Sequence, residues 1–168
     1  GVEVNGVRIL SWNVLNNAFM EWVTLKDSQG LNGSMISDLD RQVNENGLTM
    51  RDVLIADQVQ SMVSSGQIIA LQECSAPFVE LVEQRLPSHW QMVKSFDLPR
   101  KDQEVILYDR THFTYCKNLS GTPQTAYPSA PGRSLQNAYF IDAKGAPLRV
   151  INAHIPGDPM LPAKEEFA

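Results

Sequence analysis

The sequence predicts an α/β fold, mixed between the α/β and α+β classes, with a mixed sheet carrying helices on one face. Three observations predict it. Gln67 to Gln72 (QIIALQ) is a continuous apolar run bounded by turn signals, the pattern of a fully buried strand. Ahead of it, Ile55, Val59, Met62 and Val63 recur at i, i+4, i+7 and i+8, which is one apolar face of a helix. After it come several short strand-like runs separated by turn residues. With 168 residues the chain has the size of one domain. A 43% hydrophobic fraction with 10 Gly and 10 Pro excludes disorder, collagen and coiled coil.

The elements follow in order. Val7 to Trp12 (VRILSW) reads as a strand. Residues 26–47 are polar and rich in Gly and Asn, which suits a functional loop or insertion. Thr49-x-x-Asp52 is a capping-box variant opening the amphipathic helix, and Ser64-Ser65-Gly66 closes it. The buried strand follows; because a helix joins it to the first strand, the two are expected to be parallel. Ser75 caps a second helix with Pro77 in its first turn, Phe78, Val82 and Leu86 on its apolar face, and Pro87 as its stop. Trp90 to Ser95, Glu104 to Tyr108 and Phe113 to Leu119 read as strands, and residues 120–133 as loop. Ala138 to Asp142 and Leu148 to Ala153 flank Ala143-Lys144-Gly145-Ala146, a hairpin signal. Pro162 to Phe167 resembles the first turn of another helix.

Nineteen acidic against 14 basic residues give a net charge of -5, which disfavours binding a large duplex by bulk electrostatics. Cys74 and Cys116 make no disulfide framework and read as reduced thiols, or at most one bridge. No run of 18 apolar residues and no leader of basic-then-apolar type is present, so a soluble chain without a membrane span is expected; the compartment stays open.

Three polar residues stand at strand ends: Asn13 after Ser11-Trp12, Glu73 after Ile68–Gln72, and His154 after Arg149–Ala153. Ligands of open α/β sheets bind at the carboxyl ends of strands. A carboxylate ending a buried strand is costly unless paired, and Mg²⁺ pairs it well, taking one or two carboxylates plus phosphate oxygens. Each residue also has a plainer reading: Asn13 as a turn or cap, Glu73 as a salt-bridge partner of Arg51 or another base, His154 as a hydrogen-bonded strand-end histidine.

Together these motifs resemble the endonuclease/exonuclease/phosphatase superfamily, which has the deoxyribonuclease I-like α/β sandwich. Ile9-Leu10-Ser11-Trp12-Asn13 is similar to its first strand and metal-site Asn, Leu71-Gln72-Glu73 to its Leu-Gln-Glu motif, Glu104–Arg110 to its next strand, and Asn152-Ala153-His154 to its Asn-x-His strand end. The segment from Asn16 to Arg51, feeding a helix and then Leu-Gln-Glu, most resembles the deadenylase-like branch. The resemblance implies Glu73 and Asn13 as metal residues for Mg²⁺ (or Mn²⁺), with Asn13 positioning the ion or its ligand. His154 would steady charge on the scissile phosphate. It also nominates Arg133 as a phosphate contact, Asp102 as an acidic residue near the site and Tyr108 as a substrate-orienting group; exposed loop charges and a buried strand tyrosine are the plainer readings.

The family's Gly-Asp-x-Asn motif and Asp-His pair do not occur after His154; Gly157-Asp158 is followed by Pro159-Met160. The expectation is therefore one incomplete domain over residues 1–168, the N-terminal portion of the family domain. Alone it should be catalytically inactive or impaired, completed by a C-terminal segment or prone to self-association. The expected parent activity is Mg²⁺-dependent hydrolysis of phosphate esters by a nuclease or phosphodiesterase, acting on single-stranded nucleic acid or a small phosphorylated molecule. The alternatives are a phosphomonoesterase of lipid or inositol phosphates, a non-catalytic binding module of the same fold, and an unrelated α/β binding domain.

Overall fold

The computed structural model describes residues 1–4, 6–14, 43–63, 68–95, 103–120, 125–127 and 130–154. A five-stranded sheet is built from β1 (Val2–Val4), β2 (Val7–Asn13), β3 (Ile68–Cys74), β4 (Trp90–Lys94) and β5 (Gln103–Asp109), in the order β1-β2-β3-β5-β4. β2 and β3 are parallel, as their helical connection requires, and the other pairs are antiparallel. Every residue of β3 and of β5 is buried, which explains why the apolar stretches Ile68–Leu71 and Val105–Tyr108 show no alternation. β1 is an addition to the expected strands: Gly6, at φ +80°, sits in the turn that folds it back on β2.

Two helices cover one face of this sheet. α1 (Met50–Val63) begins at the expected capping box: Thr49 N and Oγ1 donate to Asp52 Oδ2 at 2.8 and 2.9 Å, and Asp52 N donates to Thr49 Oγ1 at 3.1 Å. It buries Ile55, Ala56, Val59 and Val63. α2 (Ala76–Arg85) is capped by Ser75, which accepts from Phe78 N. Ile69, Leu71, Cys74, Val105 and Leu107 from the sheet meet these faces in one core. The expected helix closure Ser64-Ser65-Gly66, with Gln67 after it, and the expected 162–167 turn lie outside the described residues, as do 26–42 of the long loop.

The opposite face packs on a second sheet, completing an α/β sandwich. Its central strand is β8 (Ala130–Asp142); β9 (Pro147–Ala153) pairs along one edge, and β6 (Phe113–Tyr115) and β7 (Thr125–Tyr127) pair along the other. Val7, Ile68, Val93, Ile106 and Tyr108 meet Phe113, Ala138, Phe140 and Val150 between the sheets. Two expectations are corrected here. The strand begun at Phe113 ends at Tyr115, because residues 116–120 turn: Leu119 N and Ser120 N both donate to Cys116 O, and Leu119 is 66% exposed. Residues 120–133 are not all loop, since β7 and the start of β8 lie within them. Tyr127 pairs with Ala130 but Ala126 pairs with Ser134, so residues 131–133 fall in an irregularity of the ladder. A proline, which has no N–H to donate, is tolerated in a strand at such a place. Both cysteines are free. No helix among the described residues is long and apolar enough to cross a membrane.

The turn from β5 to β6 links the two sheets and is held by Asp109. Its Oδ1 accepts from Thr111 N and Oγ1 at 2.8 and 2.6 Å, its Oδ2 bonds His112 Nδ1 at 3.0 Å, and His89 Nε2 lies 4.0 Å away. Burial alone would raise this carboxyl, but the Thr111 and His112 contacts outweigh it and hold it below the ordinary range. A depressed carboxyl stabilises the fold above its unfolded value and stops doing so as pH falls through the folded value. Asp109→Asn is therefore expected to lower stability at neutral pH, with the difference from the native chain closing below about pH 4. Urea melts at pH 7 and pH 3 check it; a pH-independent difference would exclude the linkage.

Candidate active site

Asn13 is the last residue of β2 and Glu73 lies next to the end of β3; because these strands are parallel, both stand at the same end of the first sheet. His154 directly follows β9 of the second sheet. The structure brings all three together. Asn13 Nδ2 donates to Glu73 Oε1 at 3.0 Å, and His154 Nε2 lies 2.9 Å from the same oxygen. The Glu73 side chain is only 7% exposed and that of His154 21%. An ionised carboxylate only accepts, so the contact makes Nε2 the proton-bearing nitrogen of His154.

The backbone at Glu73 is what aims this carboxylate. Leu71 pairs with Val105 and Cys74 with Gln103, so three steps along β3 match two along β5. The extra residue forms a bulge, and Glu73 adopts φ +57°, the left-handed region that a side chain rarely occupies. Leu71 and Cys74, an odd number of residues apart, consequently both join the helix-side core. Glu73 is freed from the strand's alternation and turned toward Asn13 and His154. Arg51, from the first turn of α1, reaches the same corner, where Nη2 donates to Val14 O at 2.6 Å.

The other nominated residues divide. Tyr108 is not brought to the site: it pairs with Ile68, five residues before Glu73, roughly 17 Å along the strand. There it packs in the inter-sheet core and donates to Gln91 Oε1 at 2.6 Å. Burial first, and then Tyr115, push its hydroxyl above the ordinary range. The spacing of a tyrosine on a fully buried strand could not tell which end of the sheet it would occupy. Arg133 belongs to β8, two residues before Leu135, which pairs with Ala153 beside His154; its side chain lies outside the described residues. Asp102 lies outside the described residues altogether. Motif matching assigned no role to Gln72 and Asn152, although both are buried immediately behind Glu73 and His154.

The donors suit a hard cation. Glu73 offers a buried carboxylate and Asn13 an amide beside it, the oxygen chemistry Mg²⁺ prefers. Among the described residues no three His, Cys, Asp or Glu side chains form a group that could hold a metal. A Mg²⁺ ion here would draw its other ligands from water and substrate, which matches its usual habit of keeping few protein carboxylates.

No family model matches this chain, and no curated protein matches it in sequence. Solved structures do match in fold. A mannosyl-6-phosphatase of Bacteroides thetaiotaomicron superposes with a TM-score of 0.61 at 16% identity, over 94% of this chain and 54% of its own. D. rerio TDP2 complexed with single-strand DNA product gives 0.59 at 16% identity, over 92% and 48%. An endonuclease/exonuclease/phosphatase from Bacteroides vulgatus gives 0.58 at 13% identity, over 89% and 52%. The fold is thus that of endonuclease/exonuclease/phosphatase proteins, and the chain spans about half the length of the structures it matches.

Proposed function

We propose that this chain, with its endonuclease/exonuclease/phosphatase fold, supplies the metal-holding and phosphoryl-binding part of a Mg²⁺-dependent phosphoester hydrolase of the deadenylase-like branch. The observation that carries the reading is the meeting of Asn13 and His154 on one oxygen of a buried, bulge-aimed Glu73. Glu73 provides the negative charge that retains the ion, and Asn13 orients that carboxylate. A Mg²⁺ ion bound there supplies a Lewis acid to a phosphoryl oxygen. His154 carries a proton on Nε2 and, turned from Glu73 to the substrate, donates a hydrogen bond to the charge developing on the phosphoryl group. Glu73 is committed to the cation and His154 Nε2 to the phosphoryl charge, and the resemblance places water activation in the Gly-Asp-x-Asn and Asp-His motifs, which do not occur in residues 155–168. Residues 1–168 alone are therefore proposed to be inactive or impaired. Arg133 stays a proposed phosphate contact, and Asp102 a proposed acidic neighbour.

The acidic composition suits single-stranded nucleic acid or a small phosphorylated molecule, and the matched structures include one of each kind, TDP2 with single-strand DNA and a mannosyl-6-phosphatase. A non-catalytic binding module is the second reading, favoured by the absence of a three-ligand group among the described residues. The test is calorimetric titration of the chain with Mg²⁺ and Mn²⁺. It is paired with hydrolysis assays on a single-stranded oligonucleotide and on p-nitrophenyl phosphate, with cation or with EDTA. Heat of cation binding with little or no turnover is expected. No heat with either ion would favour the binding module, and EDTA-resistant turnover would refute the metal reading.

A further inference from the structure

Asn13 and Glu73 come from one sheet and His154 from the other, so their spacing depends on what fixes the sheets to each other at this end. Apolar packing between the sheets is concentrated toward the far end, around Ile68, Tyr108, Phe113 and Phe140. Beside β9 the sheets instead bound an open groove of about 280 Å³ lined by Ile9, Ser11, Gln72, Arg149, Ile151 and Asn152. What crosses between the sheets here is a set of buried amides. Asn152, 1% exposed, donates Nδ2 to Leu71 O at 3.0 Å, Val105 O at 3.1 Å and Gln136 Oε1 at 3.2 Å, two hydrogens shared among three acceptors. Its Oδ1 accepts from Gln72 Nε2 at 2.7 Å. Leu71 and Val105 are the last regular pair before the bulge that creates the Glu73 conformation. Asn152 therefore grips the first sheet where its ladder breaks, two residues from His154 on its own strand.

We infer that Asn152 is a positioning residue, which docks β9 on the bulge of β3 and thereby sets His154 against Glu73. The inference rests on the reading of that pair as part of a metal-dependent site. Gln72 is its counterpart on the first sheet. Gln136, 0% exposed, serves as the comparison: it joins the same network through Asn152 but donates to Val93 O of β4 at 2.7 Å rather than to β3.

The test compares the full chain with Asn152→Ser, Gln72→Met and Gln136→Met. Two signals are read beside thermal stability: the ring Nε2–H proton resonance of His154, which survives exchange only when hydrogen-bonded, and affinity for Mn²⁺ by calorimetry. The chain has three histidines, so His154→Gln assigns the resonance. All three variants are expected to lose stability. Asn152→Ser and Gln72→Met should also lose the His154 resonance and weaken Mn²⁺ binding about tenfold, as loss of a supporting partner does. Gln136→Met should keep both. Should Asn152→Ser fail to fold, Gln72→Met decides alone. Retention of both signals in the Asn152 and Gln72 variants overturns the inference, as does equal loss in Gln136→Met, which would make the network merely structural. A native chain with the resonance but no Mn²⁺ heat overturns the metal reading, leaving the resonance to decide the positioning role. A native chain without the resonance overturns the positioning role, whatever its Mn²⁺ heat.

Discussion

Replacing Glu73 with glutamine is expected to weaken Mg²⁺ and Mn²⁺ binding by about a hundredfold or more while leaving the fold at least as stable as before. The substitution is nearly isosteric, and an amide oxygen still accepts from Asn13 Nδ2 and His154 Nε2, so the three side chains stay together. What is removed is the negative charge. Losing a group that merely supports a metal ligand costs roughly 10–100-fold in affinity; losing the charged ligand belongs at the upper end or beyond it. Stability moves the other way. A carboxylate that is 7% exposed has surrendered most of its hydration, and a neutral amide of the same shape relieves that cost. Calorimetric Mn²⁺ titration and urea denaturation of the two proteins give the two readouts. Equal affinities would remove Glu73 from the metal site, and a large fall in stability would show it to be structural.

Phe140→Ala is expected to cost about 4 kcal/mol of stability. Phe140 is 1% exposed and lies on the inner face of β8. Its ring centroid is 5.0 Å from that of Tyr108, 5.5 Å from Tyr115 and 6.2 Å from Phe113, so one side chain contacts β5 in the first sheet and β6 in the second. Such tilted pairs contribute about 0.5–1.5 kcal/mol each beyond area burial, and the cavity left by alanine adds to the loss. Against a total stability of roughly 5–15 kcal/mol, that is a large fraction. The melting temperature should fall by roughly 10 °C. A drop of under about 3 °C would mean that the sheets repack around the gap.

The parts of this fold that could be read in advance are those whose patterns are local. The α1 capping box, the Ser75 cap and the buried runs of β3 and β5 lie within a few residues each, and all formed where the sequence placed them. Asn13, Glu73 and His154 stand out in the sequence because each lies at or beside the end of a strand-like run. Their convergence rests on sheet pairings that no local pattern reports. The bulge at Glu73 was not legible, since Leu71-Gln72-Glu73-Cys74 contains no glycine to announce a positive φ. Pro131 and Gly132 hid the start of β8 for the opposite reason: residues that break regular strands occupy an irregular stretch of a real one. For Tyr108 the plainer reading, a buried strand tyrosine, is the one the structure shows; the substrate-orienting alternative depended on which end of the sheet the residue occupies, which is set by the pairing with Ile68 and not by any local pattern.

The arrangement around β8 has a consequence for how the molecule opens. β6, β7 and β9 each pair with β8 and, among the described residues, with no other strand of that sheet. The second sheet is thus a spine with ribs rather than a chain of neighbours. Detachment of the spine releases every rib at once, so their amides share one opening free energy and behave as a single cooperative unit. His154 follows a rib, whereas Glu73 belongs to the other sheet. An opening that detaches the second sheet therefore takes the site apart even where the helix-covered sheet stays folded.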